Sequence, residues 1–96
     1  MLHANLAGYK IIFSKNAEKF LDALDKPTKQ RIIEKVGELR NNGENLDIKK
    51  LKLHQILYRL RIGYLRVIYT LKHELVIIYV VAIGHRRDVY QHLNYT

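Results

Sequence analysis

Three arginines lie close together in residues 58–69, and their spacing points to a site for a phosphate group. The segment reads YRLRIGYLRVIY. In an extended chain, alternation places Arg59 and Arg61 on the same side. A tight turn at Gly63-Tyr64 would bring Arg66 almost opposite Arg61 on the next strand. Like charges that face each other across a sheet repel. The cluster therefore makes sense where an anion lies between them, and planar guanidinium groups match phosphate oxygens.

A second group of reactive side chains follows the apolar run 75–83, in the motif GHRRDVY at residues 84–90. Arg86 could bind the same phosphate, and His85 could exchange protons near neutral pH. The Tyr90 hydroxyl could do so too if neighbouring cations lowered its pKa. These residues could also have purely structural roles. His85 would then be a surface histidine and Tyr90 a core tyrosine, and Asp88 would pair with Arg87 or cap a short final helix.

The charge distribution favours a polyanionic partner. The chain has 96 residues, enough for one domain over residues 1–96, and a net charge of +8. Residues 49–96 carry nine Lys or Arg but only two acidic residues. Residues 44–53 are predicted to be a polar connector. Its lysines, Lys49, Lys50 and Lys52, are either a solvated surface or a region that steers a nucleic-acid backbone. The arginines could instead pair with carboxylates on the helices, although few acids lie nearby in sequence.

Several classes of site are absent from the sequence. It has no cysteine, which excludes disulfides and thiolate chemistry, and its five histidines lack the spacing of metal ligands. There is no glycine-rich phosphate loop and no evident pair of catalytic carboxylates. We therefore expect neither metal nor cofactor. No signal peptide is evident, and the run 75–83 is too short to span a membrane, so we expect a cytoplasmic protein.

The order of elements is predicted to be β-α-α-β-β-β, an α+β fold. A short strand at 9–13 precedes two helices with apolar stripes, the first capped by Ser14 and the second begun by Pro27. The second stripe comprises Ile32, Ile33, Val36 and Leu39, and Gly43 is expected to end that region. Strands follow at about 55–62, 65–71 and 74–83. We expect the helical hairpin to cover one face of a small, mostly antiparallel sheet, with Arg59 and Arg61 on the other face.

This order of elements and its motifs resemble the RelE/ParE toxin superfamily. The likeness covers nearly the whole chain and is carried by LDIKKLK (46–52), YRLRIGYLRVIY (58–69) and IGHRRDVY (83–90). It is closer to the RelE branch, the ribosome-dependent mRNA interferases. It implies a toxin that enters the ribosomal A site and cuts messenger RNA, by attack of the 2′-hydroxyl on the adjacent phosphate without a metal. It also implies a cognate antitoxin that neutralises the toxin.

The resemblance assigns site residues one by one. Arg59 falls at a catalytic lysine position, and Arg61 at another basic position of the same strand. Arg66, Arg86 and Tyr90 match the arginine after the hairpin, the arginine after the Gly-x step and the tyrosine that ends the motif. His85 is a candidate for proton transfer. The residues expected to bind RNA are Lys49, Lys50, Lys52 and Arg87.

The sequence departs from the family pattern at two positions. Leu57 replaces a residue that is basic in some members, and Leu65 lies where an aromatic residue is common. Two alternative functions stay open: a ParE-like inhibitor of DNA gyrase, and an inactive binding module on the same fold. The sequence leaves the oligomeric state open.

Overall fold

The computed structural model describes residues 5–41, 45–52 and 55–91, with the backbone alone for Lys52 and Gln91. Within these ranges the chain forms five strands and three helices. In chain order they are β1 (Lys10–Phe13), α1 (Lys15–Asp22), α2 (Lys26–Gly37), β2 (Asp47–Lys52), β3 (Ile56–Ile62), β4 (Leu65–Lys72), β5 (Ile77–His85) and α3 (Asp88–Gln91). Short 3₁₀ turns occur at Glu38–Asn41 and His73–Leu75. The α+β class, with helices packed on a small sheet, is confirmed.

The strands form one sheet in the order β1-β5-β4-β3-β2. Strands β2 to β5 pair antiparallel, and β1 pairs parallel to β5. The last long strand therefore lies between the first strand and the β3–β4 hairpin. This order places the C-terminal end of β5 beside the hairpin turn, because Leu65 is paired with His85.

Side-chain caps begin both long helices, and the one at Ser14 confirms the sequence-based prediction. Ser14 Oγ accepts a hydrogen bond from the Ala17 amide at 3.1 Å and donates one to the Val81 carbonyl at 2.7 Å. Asp25 caps α2 by accepting from the Thr28 amide at 3.1 Å, and a proline follows in the first turn. Each cap satisfies a helix amide that lacks an intrahelical partner. Ser14 also ties α1 to the inner strand β5.

The main core lies between the sheet and the helices α1 and α2. Even-numbered residues of β3 and odd-numbered residues of β4 point to this side, which we call the helix side. Its buried side chains include Ala17, Leu21, Ile32, Val36, Leu39, Leu60, Ile62, Leu65, Val67, Tyr69, Ile78, Val80 and Ile83. The predicted assignment of Leu65, Val67 and Tyr69 to one face of β4 is confirmed. Burial of these apolar side chains is the main force that holds the helical hairpin to the sheet.

A smaller apolar cluster lies on the opposite face of the sheet. Its buried members are Leu57, Ile68, Ala82 and Val89. Val89 belongs to α3, so the short last helix covers part of this face. A Cβ at Gly84 would lie 3.2 Å from the Val89 Cβ, closer than ordinary packing distance. Gly84 thus lets α3 pack directly against β5.

Some sequence-based predictions about individual elements are wrong. The segment predicted to be a connector contains strand β2, so the order is β-α-α-β-β-β-β followed by α3. Ile33 is 45% exposed and is not part of the core stripe. Strand β5 begins at Ile77 and continues through His85, whereas Leu75 lies in a 3₁₀ turn and is exposed. The predicted stop at Gly43 lies outside the described residues. Within the described ranges, no helix is long and apolar enough to cross a membrane.

Candidate active site: a cationic sheet face

The strand register collects basic side chains on the face opposite the helix side. Lys49 is paired with Arg59 across β2 and β3, and Arg61 with Arg66 across β3 and β4. Paired residues point to the same face of a sheet. We call Lys49, Arg59, Arg61 and Arg66 the cationic face. The predicted position of Arg66 opposite Arg61 is confirmed.

Arg66 is the most buried member of the cationic face, with 8% of its surface exposed. Its Nη1 atom donates hydrogen bonds to the Gly63 carbonyl at 3.0 Å and the Leu65 carbonyl at 3.1 Å. Burial lowers the pKa of Arg66, and the charges of Arg61 and Arg59 lower it further. The group stays cationic, because an arginine titrates far above neutral pH. Binding of an anion next to Arg66 would therefore be favourable, because it would offset both the desolvation of the guanidinium and its repulsion by neighbouring cations.

Asp47 is the acidic residue of this face that sequence reasoning missed. Its carboxylate lies 2.7 Å from Arg59 Nη2 and 3.8 Å from Arg61 Nη1. The arginines therefore do pair with an acid, as the alternative held, but it comes from β2 and not from a helix. Alternation in DIKKLK does not reveal the strand, because its apolar residues Ile48 and Leu51 are three apart and point to opposite faces. The polar composition of the segment concealed it.

Arg59 is held more firmly than its position on an outer part of the sheet suggests. Only 17% of its side-chain surface is exposed. Its Nε atom is buried and has no hydrogen-bond partner among the described residues. A buried donor that lacks a partner is costly. The Nε donor of Arg59 is thus enclosed and without a partner in the described part of the chain, while Nη2 is bound by Asp47.

The segment after β5 brings Arg86 and Tyr90 near the cationic face. Electrostatic contributions from both Arg86 and Tyr90 act on the pKa of Arg66, so both side chains lie within electrostatic range of that guanidinium. Tyr90 lies on α3 and is 40% exposed. The Val89 packing against Gly84 fixes this helix on the sheet. The two sequence motifs thus converge on one region.

His85 is placed differently from the arginines. It is paired with Leu65, a residue of the main core, so its side chain points to the helix side. Its ring meets the Phe20 ring edge-on, with 5.8 Å between centroids. It reaches the cationic region only at the end of the sheet, where strand β5 stops.

An open depression at this end of the sheet joins the two motifs. It has a volume of about 740 Å³ and is lined by Arg61, Gly63, Tyr64, Arg66, His85 and Arg86. Three guanidinium groups and one imidazole therefore border the same space. Such a space suits a phosphate with two ester oxygens, because several charged donors can reach it from different directions.

The residues expected to bind RNA do not form one surface. Lys49 lies on the cationic face, but Lys50 is paired with Tyr58 and so points to the helix side. Lys52 belongs to β2, and its side chain lies outside the described residues. Arg87 is exposed in the turn before α3, where its carbonyl accepts from the Tyr90 amide at 3.3 Å. Among the described residues, no group of three or more His, Cys, Asp or Glu could hold a metal ion.

Comparison with known families places this site in context. A sequence model of the family described as the ParE toxin of the type II toxin–antitoxin system parDE matches residues 11–90. The chain belongs to this family of RelE/ParE toxins. The family match confirms the resemblance inferred from the motifs. No curated protein sequence matches the chain.

Solved structures support the same assignment. RelE in the archaeal RelE–RelB complex of Pyrococcus horikoshii OT3 is 28% identical, with a TM-score of 0.70 over 82% of this chain and 96% of that one. The RelB–RelE complex of Methanococcus jannaschii gives 26% identity and a TM-score of 0.67, over 86% and 99% of the two chains. The isolated E. coli RelE toxin, at 22% identity and a TM-score of 0.58 over 90% and 95%, shares the fold. This chain is therefore a toxin of the type II class, built on the RelE fold.

Proposed function

We propose that this toxin is an endoribonuclease that cuts messenger RNA in the ribosomal A site and so stops translation. The observation that carries the proposal is the grouping of Arg61, Arg66 and Arg86 around one depression. Arg59 and Tyr90 lie within electrostatic range of Arg66, because both act on its pKa. A site rich in guanidinium groups, with His85 at its border and Tyr90 nearby, suits a phosphodiester better than a neutral substrate.

The reaction is an internal transfer at phosphorus. The 2′-oxygen of a nucleotide attacks the adjacent phosphate, and a base removes the 2′ proton. The bond from phosphorus to the 5′-oxygen of the next nucleotide breaks, and that oxygen takes up a proton. The products are a 2′,3′-cyclic phosphate and a 5′-hydroxyl, so no external water is needed in this step. Negative charge builds up on the phosphoryl oxygens as the bond to phosphorus forms, and the guanidinium groups stabilise it.

The arginines supply charge, while proton transfer falls to other groups. An arginine is always protonated and is a poor general base. Tyr90 is an exposed phenol on α3, within electrostatic range of the buried Arg66. His85 borders the same depression from the helix side. We assign proton transfer to Tyr90 on the cationic face, with His85 as the second candidate at the border.

Asp47 and the ribosome complete the proposed mechanism. Asp47 holds Arg59 and Arg61 together in the absence of substrate, because its carboxylate contacts both. A small open site has limited means to position a flexible RNA, and correct positioning can account for much of a rate enhancement. In this proposal the ribosome supplies it by presenting the codon in the cytoplasm. The groups on the sheet then act on a substrate that is already aligned.

A cognate antitoxin is the expected protein partner. The related RelE proteins of P. horikoshii and M. jannaschii form complexes with RelB. We expect the partner of this chain to be acidic where it covers the cationic face, because complementary charge speeds association and favours the correct partner.

Primer extension on cellular messages after induction tests the proposal. The parent protein is expected to produce cuts within codons, and Arg86→Ala is expected to reduce them roughly 10²- to 10³-fold. Arg40→Ala, in the 3₁₀ turn after α2, removes the same charge from an exposed position outside the depression and is the matched control. Intact messages during normal protein synthesis in cells that hold folded parent protein would reject the assignment.

Inhibition of DNA gyrase is the second candidate, because the matching family model describes the ParE toxin. The cationic face could bind the DNA backbone as well as RNA. The two functions differ in their cellular products. Covalent gyrase–DNA adducts and a DNA-damage response without cut messages would favour gyrase, and ribosome binding with neither effect would indicate an inactive binding module.

A further inference from the structure

Tyr64 projects from the tip of the β3–β4 hairpin with 88% of its surface exposed. It follows Gly63, which has a φ of +59°, and Tyr64 itself has no positive φ. A positive φ at only the first of the two turn residues is the type II′ pattern, which fits the twist of a hairpin. The turn is further held by the Arg66 hydrogen bond to the Gly63 carbonyl. A large aromatic ring is therefore presented to solvent on a well-supported backbone.

Tyr64 lies at the border of two depressions. The first is the one lined by the guanidinium groups of Arg61, Arg66 and Arg86. The second, of about 300 Å³, lies between the hairpin and the helices, and Gly63, Tyr64 and His85 line both. The other residues around the second depression are mostly apolar, with one exposed arginine: Leu24, Thr28, Arg31, Ile32, Ile62 and Leu65. The exposed ring of Tyr64 therefore lies between a cationic depression and a mostly apolar one.

We propose that Tyr64 is the stacking platform for the nucleobase next to the bound phosphate. A nucleotide likewise combines a charged part and a less polar part: an anionic phosphate and a flat base whose faces are favourably buried. Proteins that bind single-stranded nucleic acid combine cationic grooves with aromatic side chains in this way. The phosphate lies among the three arginines, and the base stacks on Tyr64 toward the second depression. This inference rests on the proposed function in one respect, that the substrate is RNA.

The test uses the full chain and a short fluorescent RNA in which every 2′-hydroxyl is methylated, so that it cannot be cut. Fluorescence anisotropy gives the Kd at several salt concentrations. Tyr64→Ala is expected to raise the Kd about 5- to 100-fold, because one stacked base is lost. Tyr64→Phe and Tyr64→Trp keep the ring and are expected to bind at least half as tightly as the parent.

The salt dependence separates stacking from phosphate contact. Tyr64→Ala is expected to leave the slope of log Kd against log salt unchanged, whereas Arg86→Ala is expected to reduce it by about one. Tyr79→Ala is the control for loss of an aromatic side chain. Tyr79 lies on β5, near Lys72 and away from both depressions. Its truncation is expected to leave the Kd within about twofold of the parent value.

Two results would overturn the inference. One is a parent protein that does not bind the probe. The other is a folded Tyr64→Ala variant that binds as tightly as the parent or loses salt dependence as Arg86→Ala does. The proposed function is judged separately by primer extension, so cut messages together with an unaffected Tyr64→Ala variant would reject the stacking role alone.

Discussion

Asp47 lies directly opposite Arg61 in the β2–β3 pairing, yet its short ion pair is with Arg59. The distance to Arg59 Nη2 is 2.7 Å, against 3.8 Å to Arg61 Nη1. One carboxylate on the outermost strand thus serves two arginines of its neighbour. Asp47 is the counter-ion of Arg59 and Arg61 on the cationic face, and its removal should change the affinity of that face for a polyanion.

Asp47→Asn is expected to strengthen binding to a polyanion while changing stability little. The carboxylate is about half exposed, and ion pairs at such positions contribute less than about 1 kcal/mol. Loss of its charge raises the positive potential of the cationic face. The variant should leave a heparin column at higher salt than the parent does.

Asp22→Asn is the matched control for Asp47→Asn. Asp22 pairs with Lys29 at 2.8 Å, on the helices and away from the sheet. The Asp22→Asn substitution changes the net charge by the same amount as Asp47→Asn. Equal shifts of the two variants on heparin would show that net charge, and not the local role of Asp47, governs retention.

Gly84→Ala is expected to destabilise the protein and to remove its toxicity. The added methyl group would lie 3.2 Å from the Val89 Cβ and 3.3 Å from its Cα, so α3 must shift away from β5. Overpacking of this kind costs about 1–3 kcal/mol, and it moves Tyr90 away from Arg66. Urea unfolding measures the cost.

Gly37→Ala provides the comparison for Gly84→Ala. Gly37 ends α2, and an added Cβ there would meet only Arg40 Nη2, at 3.8 Å. Alanine favours a helix over glycine by about 0.5–1 kcal/mol, so this variant should be slightly more stable and fully toxic. Loss of stability in both variants would contradict the packing argument.

Acid should weaken the start of α2 through Asp25. Hydrogen bonds from the Thr28 side chain and amide lower the pKa of Asp25 below its ordinary value of 3.8. A carboxyl group whose pKa is lower in the folded chain stabilises the fold above its unfolded pKa. That contribution is lost as the pH falls through the folded pKa.

Asp25→Ser tests this contribution, because serine caps a helix without titrating near pH 4. The urea midpoint of the parent is expected to fall more between pH 6 and pH 2.5 than that of the variant. An equal fall in both proteins would show that other carboxylates account for the acid sensitivity.

Val76→Gly is expected to stabilise the protein by up to about 1 kcal/mol. Val76 has φ +57° and ψ +49°, a left-handed conformation that costs an L-residue about 1–2 kcal/mol. Glycine adopts it freely, although it loses more entropy on folding. Val76 is 44% exposed, so little apolar contact is lost.

Leu75→Gly controls for the general effect of glycine in this turn. Leu75 is 63% exposed and has no positive φ, so the substitution should lower the free energy of unfolding. Thermal or urea unfolding distinguishes the two variants. A destabilised Val76→Gly protein would mean that the left-handed backbone is not strained.

Local rules were sufficient for much of the fold. The cap at Ser14 follows from the preference of short polar side chains for helix caps, and the turn at Gly63 from the freedom of glycine to adopt positive φ. Alternation assigned Arg59 and Arg61 to the face opposite the main core. These features depend on neighbours within a few residues, which a sequence displays directly.

Local sequence rules do not predict strand β2 or the ion pair that Asp47 makes. An outer strand is buried little, so its side chains need not be apolar, and DIKKLK resembles a connector. Its identity as a strand depends on pairing with β3, and the ion pair of Asp47 with Arg59 depends on the register of that pairing.

The amino-acid sequence by itself determined the chemistry of this protein: a concentration of arginines in one hairpin, a second basic motif at the end, and alternation that separates them from the core. Only the tertiary structure decided which groups share a site. Pairing of β4 with β5 brings Gly84 beside Arg66 but turns His85 to the helix side, because neighbouring residues on a strand point to opposite faces. The two paired arginines also differ in burial. Arg66 is buried and donates hydrogen bonds to the Gly63 and Leu65 carbonyls, whereas the Arg61 side chain is exposed.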